Sequence, residues 1–272
     1  MISNNPKRRR GGLAKANPAP IEPLNEGDEP RITRPHNAVA RRLGIAILAG
    51  DYVPGDLLAN EEEASAGLNV SRGAYREAIR TLAAKGLVQS RPKIGTRINP
   101  IERWNLLDTD VLTWLFAREP DERLINDLFG LRLMVEPEAA RLAALNWTEE
   151  EFPRLRAAME GLIGFEPSSE RWQQADKDFH DTIIRMAGNA FLTTLAGAIT
   201  TAVRLTTKYK LRVPGEVANS TIEHLRVYEA ISVRDGDLAA EQAYKLIEGA
   251  RETTLYERRR AARADGRMAS PS

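Results

Sequence analysis

Between residues 35 and 99 the hydrophobic spacing passes through three short helical segments and then two strand-like ones, with only tight turns between them. So much alternation in so short a span leaves few folds open. Val39, Leu43, Ala46 and Ile47 mark one buried helical face, and Gly50 ends that helix. Asp51-Tyr52-Val53-Pro54-Gly55-Asp56 is turn chemistry through which no helix continues. Asn60, with Glu63 three positions on, forms a capping pattern for a second helix that runs to about Gly67.

Ser71 caps a third helix. Its Ala74, Ala78, Ile79 and Leu82 are expected to face inward, and Arg72, Tyr75, Arg76 and Arg80 to face solvent. Leu87–Ser90 and Thr96–Asn99 read as strands around Arg91-Pro92-Lys93-Ile94-Gly95. Three helices followed by a two-stranded wing over residues 31–100 make a winged helix-turn-helix.

Charge points the same way. The whole chain carries +1, but residues 31–100 hold 11 basic against 6 acidic side chains, and residues 101–258 hold 19 against 27. Positive charge is gathered where phosphate would be met. The third helix joins a dipole-positive N-terminus to two arginines, a combination suited to phosphates and guanine edges of double-stranded DNA. Without cysteine there is neither a disulfide nor a thiolate zinc site, and a reducing cytoplasm is the expected compartment. No apolar run approaches a membrane span. Residues 1–30 are expected to form a disordered arm and residues 259–272 a basic disordered tail.

Residues 101–120 are expected to be an apolar connector, because Trp104, Leu107, Val111, Leu112 and Trp114 are too apolar for a free linker. From residue 121 to residue 258 helical spacing dominates, as in Leu124, Leu128, Leu131 and Val135. Breaks near Trp147, Gly164, Gly188, Pro214 and Asp235 delimit about six helices, so a mainly α chain ends in an all-α helical bundle able to hold a polar pocket.

Histidines are few. Asp176 and His180 lie four apart on one helix and share a face, which is metal-ligand spacing, and His224 on a later helix completes three candidate ligands. Such a set suits zinc, nickel or a harder divalent ion.

Val53-Pro54-Gly55-Asp56-Leu57-Leu58, Val70-Ser71-Arg72, Arg76-Glu77-Ala78, Gly86-Leu87-Val88 and Gly95-Thr96 together resemble the GntR family of bacterial regulators. The resemblance implies that Ser71, Arg72 and Arg76 touch DNA, that Lys93, Gly95 and Thr96 form the wing tip, and that Arg34 and Arg41 reach the DNA backbone. Many relatives carry a basic residue where this chain has Glu62. Two roles stay open for that carboxylate: accepting a hydrogen bond from a cytosine amino group, or restraining Arg72 or Arg76 as an ion-pair partner.

Asp176 to His180 with Phe179 between, Ala187-Gly188-Asn189, Glu223-His224 and a final helix after Asp235-Gly236-Asp237 resemble the FCD ligand domain of the FadR-type branch. There an aspartate and three histidines hold a metal beside a small carboxylate effector. The connector resembles that of regulators responding to sugar acids such as galactonate and gluconate. Here the last histidine is replaced by Ile247, with Glu248 adjacent. Three outcomes stay open: a three-ligand metal site, a metal-free pocket in which His180 and His224 bond the effector, or Glu248 as a substitute ligand.

Arg132 is the expected carboxylate anchor, since its planar fork grips a carboxylate bidentately, though Glu136 at i+4 offers it an ordinary salt bridge. Asn189 and Arg204 are further effector-binding candidates, with Thr200 and Thr201 available for hydroxyls. The implied protein is a homodimeric regulator, usually a repressor, on a palindromic operator. It requires no catalysis. The alternatives are a metal-dependent enzyme using Asp176, His180 and His224, and an architectural DNA-binding protein.

Overall fold

A computed structural model describes residues 34–91, 94–118, 120–166 and 169–264. Among these, the residues through Ala84 together with Val88–Pro100 make one compact unit, and Lys85–Leu87 with those from Ile101 onward make the other. The arm expected at residues 1–30 lies outside the described residues.

The first unit holds α1 (Pro35–Leu48), α2 (Glu61–Gly67), α3 (Arg72–Ala84), β1 (Val88–Arg91) and β2 (Gly95–Ile98). α2 and α3 start where capping chemistry places them. The Asn60 side-chain oxygen accepts from the Glu63 N–H at 2.9 Å, and Ser71 Oγ accepts from the Ala74 N–H at 3.1 Å. β1 and β2 pair antiparallel, Val88 opposite Ile98 and Arg91 opposite Gly95. One expectation fails: Tyr75 faces the core rather than solvent, 4% exposed, while Ala74 is half-buried. Positions 75, 78, 79 and 82 share a helical face, and the ring can be buried because its hydroxyl donates to the Ala59 carbonyl at 3.1 Å.

The second unit opens with a 3-10 turn, Ile101–Arg103, and α4 (Thr109–Leu115). The residues expected to form an apolar connector group with this unit. Val111, Leu112 and Trp114 are buried, α4 packs against α8, and Asp108 caps it by accepting from the N–H groups of Asp110 and Val111. Lys85 bonds Asp108 and Asp110 at 2.7 and 2.8 Å. Then follow α5 (Glu122–Asn146), α6 (Phe152–Gly164), α7 (Glu170–Met186), α8 (Ala190–Lys210), α9 (Glu216–Ser232) and α10 (Gly236–Ala264), six helices bounded close to the expected breaks.

Fully buried Leu155, Trp172, Phe179, Ile199 and Ile231 knit this bundle together, each side chain contributing about 1.5–3 kcal/mol. α10 continues past residue 258, where the disordered tail was expected to begin. Arg258 and Arg259 account for the difference: both bond Glu122, on α5, which ties down the extra turn.

Candidate functional site

In the first unit, α3 presents Ser71, Arg72 and Arg76 on its exposed N-terminal half. Each arginine meets a carboxylate of α2. Glu62 Oε1 lies 2.7 Å from Arg72 Nη2, and Glu61 Oε1 lies 3.6 Å from Arg76 Nε. In the free protein, then, Glu62 takes the restraining role. Beside α3 a concavity of about 600 Å³ is bordered by Arg76, Arg80, Ser90, Gly95 and Thr96. Gly95 has φ +97°, which only glycine adopts freely at the wing tip. Arg34, just before α1, and Arg41 on it are exposed, and Lys93 lies outside the described residues.

In the second unit, α5, α7, α8 and α9 converge on a buried polar cluster. Asp176 and His180 project from one face of α7, and His224 from α9 meets them: the imidazole Nε2 is 3.0 Å from Asp176 Oδ1 and 3.4 Å from His180 Nε2. All three are buried. Their outer contacts fix the tautomers. His224 Nδ1 lies 2.6 Å from the Ser220 carbonyl, which can only accept, so Nδ1 carries the proton. His180 Nδ1 likewise faces Glu136 Oε2 at 2.5 Å, a carboxylate that stays ionised. Burial pushes the Glu136 carboxyl up, but Arg132 and His180 outweigh it and bring it down to about 2.

Both Nε2 atoms are therefore bare lone pairs turned toward Asp176 Oδ1, a buried oxygen with no hydrogen-bond partner, while Asp176 Oδ2 accepts from Thr207 Oγ1 at 2.8 Å. Burial opposes the Asp176 charge, and the Lys210 ammonium beyond contact favours it. Burial also pushes the His224 imidazole down, keeping it neutral. Three electron-rich atoms facing one another with no hydrogen among them is a donor set that fits a divalent cation, the histidines being oriented from behind by Glu136 and the Ser220 carbonyl.

Arg132 joins the cluster through Glu136, with Nε 2.6 Å from Oε1, and donates weakly to Thr206 Oγ1 at 3.4 Å. This is the i, i+4 salt bridge foreseen for it. Asn189 and Arg204 do not join. Asn189 is exposed and spends its side-chain oxygen capping α8, accepting from the N–H groups of Phe191 and Leu192, and Arg204 faces solvent. Thr200 is turned back to the Ala196 carbonyl. Glu248 bonds Arg251 outside the cluster, which removes it as a substitute ligand, and Ile247 lines a cavity with Glu136, Phe179 and His180. As it stands, that cavity of about 10 Å³ has room for roughly one water.

Sequence reasoning missed the positioning role of Glu136 and the presence of Thr206, Thr207, Lys210 and Ser220 in the cluster. A signal was available. Ile199, Val203, Thr206 and Lys210 recur at spacings of three and four along α8, so a lysine sits on an otherwise inward face.

Comparison with known proteins covers both units. Residues 35–98 match the family model of bacterial regulatory proteins of the gntR family, and residues 127–249 match the FCD domain. The Escherichia coli K12 HTH-type transcriptional regulator YieP is 34% identical over 211 residues, spanning 77% of this chain and 90% of that one. The galactonate operon transcriptional repressor of the same organism is 33% identical over 208 residues, spanning 75% and 90%. The solved structure of Lar, which controls expression of the Listeria monocytogenes agr system, has the same fold with a TM-score of 0.57 at 21% identity, covering 85% of this chain and 99% of that one.

Proposed function

The chain belongs to the GntR family, in the FadR-type branch that carries an FCD domain, and on that footing we propose that it is a repressor released from its operator by a small sugar acid such as galactonate or gluconate. It is a DNA-binding transcriptional regulator, and neither its family nor its named relatives support the enzyme alternative.

The observation that carries the effector reading is the buried convergence of Asp176 Oδ1, His180 Nε2 and His224 Nε2, in which the carboxylate oxygen has no hydrogen-bond partner. These three residues would hold a divalent ion of the zinc or nickel kind. When bound, the ion supplies a fixed positive centre for an acid or hydroxyl oxygen. Arg132 would add N–H donors, while Glu136 holds both Arg132 and His180 in position and Thr206 and Thr207 bond Arg132 and Asp176 from α8. An acid entering the present cavity displaces side chains, and that movement is the means by which binding alters DNA affinity. Coupling of about 1–3 kcal/mol changes operator affinity roughly 5- to 150-fold.

DNA is read by Ser71, Arg72 and Arg76, with Gly95, Thr96 and Lys93 at the wing and Arg34 and Arg41 on the backbone. A homodimer presenting two such heads takes a palindromic operator in the cytoplasm. Thermal-shift titration with D-galactonate and D-gluconate, with nickel or zinc and then with chelator, tests the reading. A metal-dependent rise with the acids is expected, on the order of 2.7 kcal/mol at a hundredfold excess over Kd. Asp176→Asn should lose the response to metal, and Arg132→Ala the response to acid while still binding DNA. Silence of the wild type in every condition overturns the reading.

A further inference from the structure

Lys210 closes α8 on the face that carries Val203, Thr206 and Thr207, the same face that meets Arg132 and Asp176. It is 6% exposed. Its ammonium has three hydrogens to place, yet it donates one hydrogen bond, to Ser220 Oγ at 3.1 Å, and among the described residues no carboxylate stands within ion-pair distance of it. The other buried cation of the cluster is differently placed: Arg132 is neutralised in contact by Glu136 at 2.6 Å.

Burial pushes the Lys210 ammonium below its ordinary range and the Arg132 charge adds to this, against the attraction of Asp176, Glu223 and Glu136 from beyond contact. The charge count then matters. Inside the cluster two cations, Arg132 and Lys210, face the carboxylates Glu136 and Asp176, with half-buried Glu223 of α9 attracting Lys210 from beyond contact. An ion held by Asp176 uses up that carboxylate and leaves the buried Lys210 ammonium with Ser220 Oγ in contact and only Glu223 and Glu136 beyond it, an under-compensated charge that an anion would relieve.

We propose that Lys210 Nζ is the anion anchor of the effector site, supplying from α8 the positive charge that Arg132, locked to Glu136, no longer offers. The inference rests on the effector reading above and narrows its ligand class. The acid is held by charge at Lys210 and by directional N–H groups at Arg132, so an uncharged polyol of the same size is rejected.

The experiment compares wild type and Lys210→Met, both loaded with zinc, by calorimetric titration with D-galactonate and with uncharged galactitol, alongside melting of the two ligand-free proteins. Wild type should prefer the acid, and K210M should bind it roughly 10- to 100-fold more weakly, with the preference over galactitol lost. Ligand-free K210M should melt no lower than wild type, because a buried unpaired cation has been removed. A second variant, Lys210→Gln, should behave alike. If K210M keeps the wild-type affinity and preference, or if both variants melt well below wild type, Lys210 is a framework residue and the proposal falls alone. If wild type itself ignores the acid, the effector reading and this inference fall together.

Discussion

Glu62 Oε1 lies 2.7 Å from Arg72 Nη2, so a carboxylate of the second helix holds the first arginine of the recognition helix. Both side chains are largely exposed, which limits the pair to about 0–1 kcal/mol of stability. Its consequence is for DNA. Glu62→Gln frees Arg72 for phosphate and removes a charge that repels it. Binding to random-sequence duplex should tighten, and the log–log salt slope should steepen by about one. Weaker operator binding with unchanged random-sequence binding would instead make Glu62 a reader of a cytosine amino group.

Glu136 bonds Arg132 and His180 at once, inside the bundle. Glu136→Gln leaves Arg132 as an unpaired buried charge and loosens the imidazole. A loss of about 3–5 kcal/mol is expected in urea unfolding. Zinc affinity measured by competition with a chelator should fall roughly 10- to 100-fold. Wild-type stability in E136Q would mean that Arg132 finds another partner.

Tyr75 ties the winged-helix unit to an alkaline limit. Burial, then Tyr52 and Glu61, push its hydroxyl from 10.0 up to about 12. A pKa raised on folding contributes stability that is complete below the unfolded value and lost as pH rises through the folded one. Stability should therefore decline between about pH 10 and 12, followed by phenolate absorbance. Tyr75→Phe should flatten that decline and cost about 0.5–1.5 kcal/mol at neutral pH through the lost bond to the Ala59 carbonyl. An unchanged alkaline midpoint in Y75F would assign the transition elsewhere.

Gly86 has φ +76°, and a Cβ there would stand 2.0 Å from the Arg103 carbonyl oxygen. Gly86→Ala should lower the melting temperature of the second unit. About 1–3 kcal/mol comes from the strained backbone alone, and the clash adds to it. A variant melting with wild type would show that this segment shifts without cost.

The helices and their ends were legible because their determinants are local. Asn60 and Ser71 cap where their side chains reach backbone N–H groups three residues on, and the six helices from α5 to α10 follow their breaks. The i, i+4 spacing of Asp176 and His180 likewise follows from helix geometry, and their meeting with His224 was expected from the family pattern. Tyr75 was misplaced because polarity at its tip was weighed above the face it occupies. The apolar connector was expected to be anchored and Trp114 is buried, but that α4 packs on α8 was not legible, because those residues lie far along the chain.

By itself, then, the sequence determined a winged helix-turn-helix joined to a helical ligand domain, and three metal-ligand candidates, since period, caps and family motif are all written in neighbouring residues. Only the tertiary structure decided which polar groups share the buried site. It set Glu136 behind His180, brought Thr207 to Asp176 and turned Lys210 inward, while Asn189 and Arg204 stayed at the surface. The reason is electrostatic. A buried charge must find partners in three dimensions, and those partners come from helices that the chain's order does not place side by side.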